Sequence, residues 1–337
     1  MLRKNLDALI ITDEKNMYYY AGFYKGEGYV VIRHDRCFVV TDFRYFEYAD
    51  EKCTGYEIGN ISKDGIGAFV LPDMTCGFEN GKISYSQYVS FAGVLKNLVG
   101  IDDMADSLRE VKDEAEIGCI RRAAEIADRA FDHICGFIKE GMSEIEIACE
   151  IEYFMRRSGA EKTSFDTIVA SGARGSLPHA IPTSNRLKAG ELVVMDYGCV
   201  VDGYASDMTR TVGVGSIDSS LMDVYNTVLS AQLEALSCIK AGVSGMSVDC
   251  AARTMLDFKY PGRFGHSLGH SVGLDIHEKP NLSPKNPKAL KAGNVVTVEP
   301  GLYIPGKCGV RIEDLVVVTE NGCDILSKSP KNLVIVG

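Results

Sequence analysis

The sequence has few of the features that mark nucleic-acid-binding, membrane or exported proteins. Its formal net charge is -10, with no basic run, which argues against a nucleic-acid partner. No apolar stretch approaches the roughly 20 residues that span a bilayer. The apolar part of MLRKNLDALIITDE is interrupted by Asp7, and no small-residue cleavage site follows, so no signal peptide is predicted. We therefore expect a cytoplasmic protein that does not enter a membrane.

Cysteine pairs of the C-x-x-C type are also absent, although the 337 residues include 11 cysteines. Most of these cysteines lie within apolar stretches. This pattern favours buried free thiols in a reducing compartment over disulfides or a thiolate zinc site. The chain is long enough for two domains with ample core.

The first hundred residues predict a small α/β domain. DALIIT, GYVVIRH and DRCFVV are typical of strands, and TDFRYFEYADEKC is typical of a helix capped by Thr41 or Asp42. GAFVL and CGFEN predict a further strand and a turn. We place the domain boundary near residue 107, which gives domains 1–107 and 108–337.

Three long helices are predicted in the second domain. Ser107 and Glu110 resemble a capping box at the start of the first helix. Ser143 and Glu146 form a second candidate box before the helix EIEIACEIEYFMRRSGA. The third helix is expected at roughly 218–241.

Two aspartates lie on the arms of a predicted hairpin, VVMDYGCVVDGYASDMTR. Asp202-Gly203 is a strong signal for a two-residue turn, which would pair residue 196 with residue 209. Asp196 and Asp207 would then share a face as diagonal neighbours, roughly 7 Å apart at the backbone. Two aspartates alone are more often a solvated sheet face. In an apolar sheet they repel one another unless a positive charge lies between them.

The segment that ends at Asp196 is repeated later in the chain. RLKAGELVVMD, residues 186–196, resembles ALKAGNVVTVE, residues 289–299, at a constant offset of 103. Each copy is followed by a strand with a second acid, Asp207 in YASDMTRTV and Glu313 in GVRIEDLVVV. The period is too long for a solenoid and predicts two pseudo-symmetric halves.

The second copy predicts another acidic hairpin. Glu299 and Glu313 are symmetric about Gly306, so a five-residue loop would set them opposite one another on one face. Two such hairpins across a pseudo-twofold axis would gather these acids with Asp196 and Asp207. Four negative charges suit two divalent cations, and oxygen ligands favour manganese or a similar ion over a structural zinc.

Four of the six histidines could add nitrogen ligands. His266, His270 and His277 occur in GHSLGHSVGLDIHE, and His179 occurs in SGARGSLPHAIPT. The first two have the spacing of an H-E-x-x-H zinc helix, but Ser267 stands where the glutamate belongs, and nearby glycines favour a strand or loop. One histidine alone is more often a satisfied core or surface residue. Four histidines beside paired acids indicate a site.

These motifs together resemble the pita-bread metallopeptidases. That family comprises methionine aminopeptidases, Xaa-Pro aminopeptidases and Xaa-Pro dipeptidases (prolidases), with creatinase as a metal-free relative. The resemblance covers nearly the whole chain and rests on four blocks in order: SFDTIVASGARGSLPHA, MDYGCVVDGYASDMTRTV, GHSLGHSVGLDIHE and VVTVEPGLYIPGKCGVRIEDLVVVTENG. It implies an α+β fold, with a smaller creatinase-like α/β domain at 1–107 and a pseudo-twofold pita-bread catalytic domain at 108–337.

The resemblance also implies a set of metal ligands. Asp196 would chelate one metal, Asp207 and Glu313 would bridge two metals, and His270 and Glu299 would complete the other site. A water between the two cations would be acidified to hydroxide and attack the amide carbonyl. Glu299 would take the proton of the water and pass it to the leaving nitrogen.

Four further residues are implied on the substrate side. His179 and His277 correspond to histidines that hydrogen-bond the scissile amide and stabilise the tetrahedral intermediate. His266 and Arg311 are similar to residues of the Xaa-Pro branch, where they line the substrate side and support the bridging glutamate. These four residues and Glu299 would form the catalytic group.

Three features favour Xaa-Pro over methionine specificity: the N-terminal domain, His266 four residues before His270, and Arg311 two residues before Glu313. We therefore expect an Xaa-Pro aminopeptidase, with an Xaa-Pro dipeptidase as the alternative. A methionine aminopeptidase and a non-catalytic peptide-binding relative are weaker alternatives. Creatinase is disfavoured because all five ligand positions are filled here.

The resemblance further implies cofactors and partners. Two divalent ions are expected, manganese first, with cobalt, zinc or iron as alternatives, because mixed oxygen and imidazole ligation admits each of them. The substrates would be small peptides with proline at the second position, and a homodimer is implied by analogy alone. Ser271 and Cys308 stand where glycine is common in the family, which affects local backbone geometry and not the ligand set.

Overall fold

The structure is a computed structural model that describes residues 5–102 and 106–337. The chain divides into two compact units, Met1–Leu108 and Arg109–Gly337, and each unit has its own hydrophobic core. Among the helices of the described residues, none combines the length and the apolarity needed to cross a membrane.

The N-terminal unit is built on one six-stranded mixed sheet. Its strands and helices are β1 (Ala8–Ile11), α1 (Glu14–Ala21), β2 (Gly28–Arg33), β3 (Cys37–Thr41), α2 (Phe46–Lys52), β4 (Glu57–Asn60), β5 (Thr75–Glu79), α3 (Tyr85–Ala92) and β6 (Asn97–Ile101). The strand order is β4-β3-β2-β1-β5-β6. β1, β2 and β3 pair antiparallel, and the outer strands β4, β5 and β6 join in parallel.

The predicted α/β class and the first three strands of this unit are confirmed, but other elements differ. α2 begins at Phe46, and not at Thr41 or Asp42, because Thr41 is the last residue of β3. GAFVL contains a short 3-10 helix, Ile66–Ala68, where a strand was expected, and CGFEN forms most of β5 where a turn was expected. The sequence patterns also miss α1, which Asp13 caps.

The C-terminal unit contains two halves, each with two helices and an antiparallel hairpin. A short helix, α4 (Asp106–Arg109), lies at the boundary between the units. The first half then contains α5 (Glu114–Phe137), α6 (Glu144–Arg157), β7 (Lys162–Thr163), β8 (Ile168–Ser171), β9 (Leu192–Tyr197), β10 (Cys199–Val201), β11 (Tyr204–Ala205) and β12 (Met208–Val214). The second half contains α7 (Ser219–Cys238), α8 (Gly245–Lys259), β13 (Gly269–Ser271), β14 (Glu278–Leu282), β15 (Val295–Val298), β16 (Gly301–Ile304), β17 (Cys308–Arg311), β18 (Asp314–Val318) and β19 (Cys323–Ile325), before the final strand β20 (Ile335–Val336).

Each half packs its helices on one sheet. α5 and α6 cover the sheet β20-β12-β9-β8, and the two layers share one buried apolar cluster. α7 and α8 cover the sheet β14-β13-β15-β18-β19 through a second cluster. The strands at the centre of both sheets are buried along their whole length. The acidic hairpins therefore project from fully buried strands.

The first long helix begins later than predicted. α5 starts at Glu114, and its capping box is formed by Asp113 and Glu116, so the prediction of a box at Ser107 and Glu110 is wrong. The Asp113 carboxylate accepts a hydrogen bond from Glu116 N at 2.9 Å, and the Glu116 carboxylate accepts one from Asp113 N at 2.8 Å. Both segments have the same spacing of acceptor and acid, so spacing alone does not separate them.

The other predicted helices are confirmed in part. Ser143 and Glu146 form the predicted capping box of α6, and α7 lies within the predicted range 218–241.

The cysteines are free thiols, but the expected burial holds for only four of them and is wrong for the exposed Cys149 and Cys250.

Candidate metal centre

The first acidic hairpin has the predicted register. β9 pairs with β12 so that Asp196 lies opposite Thr209. The turn is Asp202-Gly203, and both residues have the positive φ angles, 48° and 79°, that a type I′ turn requires. Asp196 and Asp207 therefore lie on one face of the hairpin.

The second acidic hairpin keeps the predicted symmetry but has a tighter loop. β16 and β17 pair as far as Ile304 and Cys308, so three residues around Gly306 form the loop, and the prediction of five is wrong. β15 and β18 continue in the same register on the other side of the two glutamates. Glu299 and Glu313 are consequently opposite one another, as the symmetry indicated.

The two hairpins bring their acids together. One oxygen atom each from Asp196, Asp207 and Glu313 lies within 4.8 Å of the others, and all three residues are buried. His270 Nε2 lies 3.6 Å from Asp207 Oδ2 and 3.4 Å from Glu299 Oε1. The five side chains that the resemblance assigns to metal ions thus lie in one cluster, which we call the acidic cluster.

The acidic cluster is electrostatically unfavourable without added positive charge. Burial raises the pKa of Asp207 and of Glu313 well above the usual range, and repulsion between the carboxylates raises both further. Burial also raises the pKa of Glu299 to about 8, which Arg311 opposes and Asp196 reinforces. Buried like charges are tolerated when protons or cations neutralise them.

Asp196 Oδ1 and His270 Nε2 have lone pairs available for a metal ion. Asp196 Oδ1 is buried and has no hydrogen-bond partner in the described part of the chain. His270 Nδ1 donates to Ser271 O at 3.2 Å, so the unprotonated Nε2 faces the carboxylates. Burial lowers the pKa of His270 to about 4, which keeps the imidazole in the neutral form that ligates metals. The residues present therefore fit divalent metal ions.

Arg311 is a buried cation beside the cluster. Its Nη2 donates to Asp196 Oδ2, and its Nε donates to Thr209 Oγ1 at 3.0 Å. The Thr209 hydroxyl in turn donates to Glu313 Oε2 at 2.6 Å. Arg311 thus orients two of the carboxylates, one directly and one through a threonine.

Tyr303 belongs to the site and is missed by the sequence patterns. Its hydroxyl accepts a hydrogen bond from Arg311 Nη1 at 2.8 Å and donates to His266 Nε2 at 2.9 Å. A signal for it exists in the sequence. Tyr303 lies four residues after Glu299, and residues at even spacing share a strand face. It connects His266 to the acidic cluster through Arg311.

The acidic cluster forms part of the wall of a cavity of about 790 Å³. Nine predicted site residues line this cavity: His179, Asp196, Asp207, His266, His270, His277, Glu299, Arg311 and Glu313. The ring centroids of His270 and His277 are 4.4 Å apart. The volume is within the usual range for sites that enclose small molecules.

Comparison with known families identifies the family of this chain. The sequence model of "Metallopeptidase family M24" matches residues 118–320. The chain belongs to metallopeptidase family M24. A second model, "Creatinase/Prolidase N-terminal domain", matches residues 1–111. The M24 assignment confirms the predicted pita-bread fold and the predicted class of enzyme, a metallopeptidase, and it agrees with a carboxylate cluster that suits divalent ions.

Individual M24 relatives are similar over nearly the full length of the chain. The Xaa-Pro dipeptidase of Pyrococcus furiosus is 39% identical over 338 residues, which cover 99% of this chain and 97% of the relative. The solved structure of the Xaa-Pro dipeptidase from Bacillus anthracis superposes with a TM-score of 0.95 at 41% identity, covering 99% of this chain and 96% of that one. The X-Pro aminopeptidase from Thermotoga maritima gives a TM-score of 0.93 at 36% identity, with 98% of both chains covered.

Proposed function

We propose that this chain is a metal-dependent Xaa-Pro dipeptidase, which cleaves the bond between an N-terminal residue and a C-terminal proline. The observation that carries the proposal is the acidic cluster in the cavity wall of a chain that resembles Xaa-Pro dipeptidases over nearly its whole length. The comparisons support the dipeptidase better than the aminopeptidase expected from the sequence. The aminopeptidase remains the second candidate because the Thermotoga maritima structure favours it.

In this proposal the acidic cluster holds two divalent ions through Asp196, Asp207, His270, Glu299 and Glu313. Such ions, when bound, polarise the scissile carbonyl and lower the pKa of the attacking water. Four carboxylates and one imidazole suit manganese first, and cobalt, zinc or iron are alternatives.

Glu299 moves the proton in the proposed reaction. Its Oε1 accepts a hydrogen bond from Thr297 Oγ1 at 3.1 Å and lies 3.4 Å from His270 Nε2. Glu299 takes a proton from the attacking water and delivers it to the proline nitrogen as the C–N bond breaks. The products are a free amino acid and proline.

Two histidines bind the reacting amide in this proposal. His179 and His277 line the cavity together with the acidic cluster. Ring N–H groups at these positions donate to the carbonyl oxygen as negative charge develops on it. Arg311 Nη1 also donates to Pro178 O at 3.3 Å, which ties the backbone beside His179 to the cluster.

Proline specificity follows from the chemistry of the substrate bond. The Xaa-Pro amide nitrogen has no N–H, so peptidases that use this donor handle the bond poorly. Phe165 and Ile276 line the same cavity and offer apolar surface to a pyrrolidine ring. The remaining requirement is proton delivery to the tertiary nitrogen, which we assign to Glu299.

Peptide hydrolysis tests the proposal. We expect metal-stripped protein to be inactive, and added manganese to restore cleavage of Ala-Pro, with slower cleavage of Ala-Pro-Ala and none of the control Ala-Ala. Faster cleavage of Ala-Pro-Ala would support the aminopeptidase instead. Cleavage of Met-Ala-Ser alone, or no activity with two metals bound, would contradict both Xaa-Pro functions.

A further inference from the structure

Glu144 is a buried carboxylate that the proposed reaction does not use. It is the first residue of α6, its exposed fraction is 0%, and it is not among the residues that line the cavity. An ionised carboxylate removed from water is tolerated only when charges or hydrogen-bond donors replace the lost hydration. The source of those donors indicates what Glu144 does.

The two oxygens of Glu144 hold opposite ends of one segment. Oε1 accepts hydrogen bonds from Ser171 N at 2.9 Å and from Ser171 Oγ at 3.0 Å. Oε2 accepts from Thr183 N at 3.0 Å and from Thr183 Oγ1 at 2.8 Å. Arg174 Nε lies within hydrogen-bond distance of both oxygens, at 3.2 and 3.0 Å. Burial would raise the pKa of Glu144, but the hydrogen bonds from Ser171 and Thr183 hold it below its usual value.

The segment between these ends, residues 172–182, contributes to one wall of the cavity. Its part that lines the cavity runs from Pro178 to Pro182 and includes His179. Arg174 braces the same part through Nη2, which donates to Ile181 O at 2.7 Å. Glu144 therefore supplies one anchor at each end of the segment that carries His179, in addition to the Arg311 contact at Pro178.

A carboxylate in the first turn of a helix could serve the helix alone. Two observations argue against this role for Glu144. Ser143 and Glu146 already form the capping box of α6. The side-chain donors to Glu144 come from Ser171, Arg174 and Thr183, all outside the helix.

We propose that Glu144 is a positioning residue for His179, because its buried carboxylate joins the two ends of the segment that carries this histidine. We call this link the closure of the segment. The inference rests on the proposed function for the role of His179, and on geometry alone for the closure of the segment. It predicts that Glu144 acts on the peptide-binding side of the cavity and not on the metal ligands.

Hydrogen exchange tests the closure without any substrate. The Glu144→Gln variant replaces one of the two acceptor oxygens with an NH2 group, which cannot accept a hydrogen bond, so we expect faster amide exchange in residues 172–182 than in the wild type. Thr183→Val is the second test variant, in case Glu144→Gln does not fold. It removes the Thr183 hydroxyl donor with little change in side-chain size, so we expect a smaller increase in exchange over the same residues. Glu146→Gln is the matched control, since it removes a carboxylate from the same helical turn without touching the segment. Unchanged exchange in both test variants would overturn the proposal.

Kinetics tests whether the closure acts through His179. We expect Glu144→Gln to lower kcat/KM for Ala-Pro roughly 10- to 100-fold with manganese content unchanged, as for a small misplacement of a substrate contact. In a His179→Ala background the same substitution should lower kcat/KM less than about threefold, because the two changes are coupled. Independent, multiplying losses would overturn the proposal. If the wild type cleaves no Xaa-Pro peptide, the proposed function fails, while the exchange measurement still decides whether Glu144 closes the segment.

Discussion

At the scale of single residues, the site depends on which atom of each side chain is already occupied. Asp196 Oδ2 is held by Arg311, which leaves Oδ1 for a ligand. His270 Nδ1 is held by a backbone carbonyl, which leaves Nε2. Glu313 Oε2 accepts from Thr209. In the proposed metal site, such partners would fix the orientation of the ligands before a metal binds, which raises affinity.

Substitution can distinguish a substrate-contacting role from a metal-ligand role for His277. Replacing His277 with alanine removes a proposed donor to the developing oxyanion while leaving the acidic cluster intact. We expect kcat for Ala-Pro to fall about 100- to 1,000-fold with two metals still bound. His133→Ala is the control, because His133 contacts Glu150 and Phe154 on α6 and lies outside the cavity. A loss of bound metal in His277→Ala would show that His277 is a ligand instead.

The sequence predicted which residue types meet, but not the partners that orient them. The acids share a face because side chains alternate along a strand, so residues an even number of positions apart lie on the same side. The Thr209–Glu313 bond joins residues 104 positions apart, and the Arg311–Asp196 bond joins residues 115 apart. Neither pair can be derived from local spacing, since each depends on how the two halves pack.

At the scale of elements, a buried ionic network ties the segment before α5 to the β13–β14 hairpin. Lys112 Nζ donates to Ser271 Oγ and to Glu278 Oε2, both at 2.9 Å. Arg109 Nη2 donates to Asp275 Oδ2 at 2.7 Å and to Glu278. Ser271 thus gains a partner for its hydroxyl. The hairpin so held carries His270 and His277.

The Glu278→Gln variant tests this network. It leaves Arg109 and Lys112 buried without their shared counter-charge, so we expect the free energy of unfolding of the C-terminal unit to fall by about 3–5 kcal/mol at pH 7. Asp324→Asn is the control, because it breaks an exposed pair with Arg121 that contributes about 1 kcal/mol or less. Urea denaturation of metal-free protein measures both.

The same variant has a predicted pH dependence. Burial would raise the pKa of Glu278, but Lys112 and Arg109 hold it below its usual value. A lowered folded-state pKa gives stability that is present above the unfolded pKa, about 4.3, and is lost as pH falls through the folded-state value. The difference between wild type and Glu278→Gln should therefore shrink below about pH 4. A difference that stays constant down to pH 3 would contradict this assignment.

Element boundaries were predicted less well than element types. The α5 capping box lies at Asp113 because the preceding backbone is used elsewhere: Lys112 N donates to Gly293 O. α8 was missed although its buried positions, Val248, Ala252 and Leu256, have helical spacing and Ser244 caps it. Tertiary packing decides only the start of α5, and a single sequence does not record that packing.

At the scale of the whole molecule, the internal repeat of the sequence corresponds to repeated local structure in the C-terminal unit. Gly141 N donates to Leu187 O at 2.8 Å, and Gly242 N donates to Leu290 O at 2.9 Å. Leu187 and Leu290 are separated by the same offset as the repeated segments. Each half thus supplies one acidic hairpin, and the acidic cluster forms where the two hairpins meet.

The central claim is that the acidic cluster binds two divalent ions, and metal content tests it most directly. After equilibrium dialysis against manganese, mass spectrometry of the wild type should find about two ions per chain, as expected for a two-metal site. Asp166→Asn, which alters an exposed acid of the same cavity, should keep both ions, and Asp207→Asn should lose at least one. A wild type that binds less than one ion per chain, or an Asp207→Asn variant that still binds two as tightly, would contradict the account.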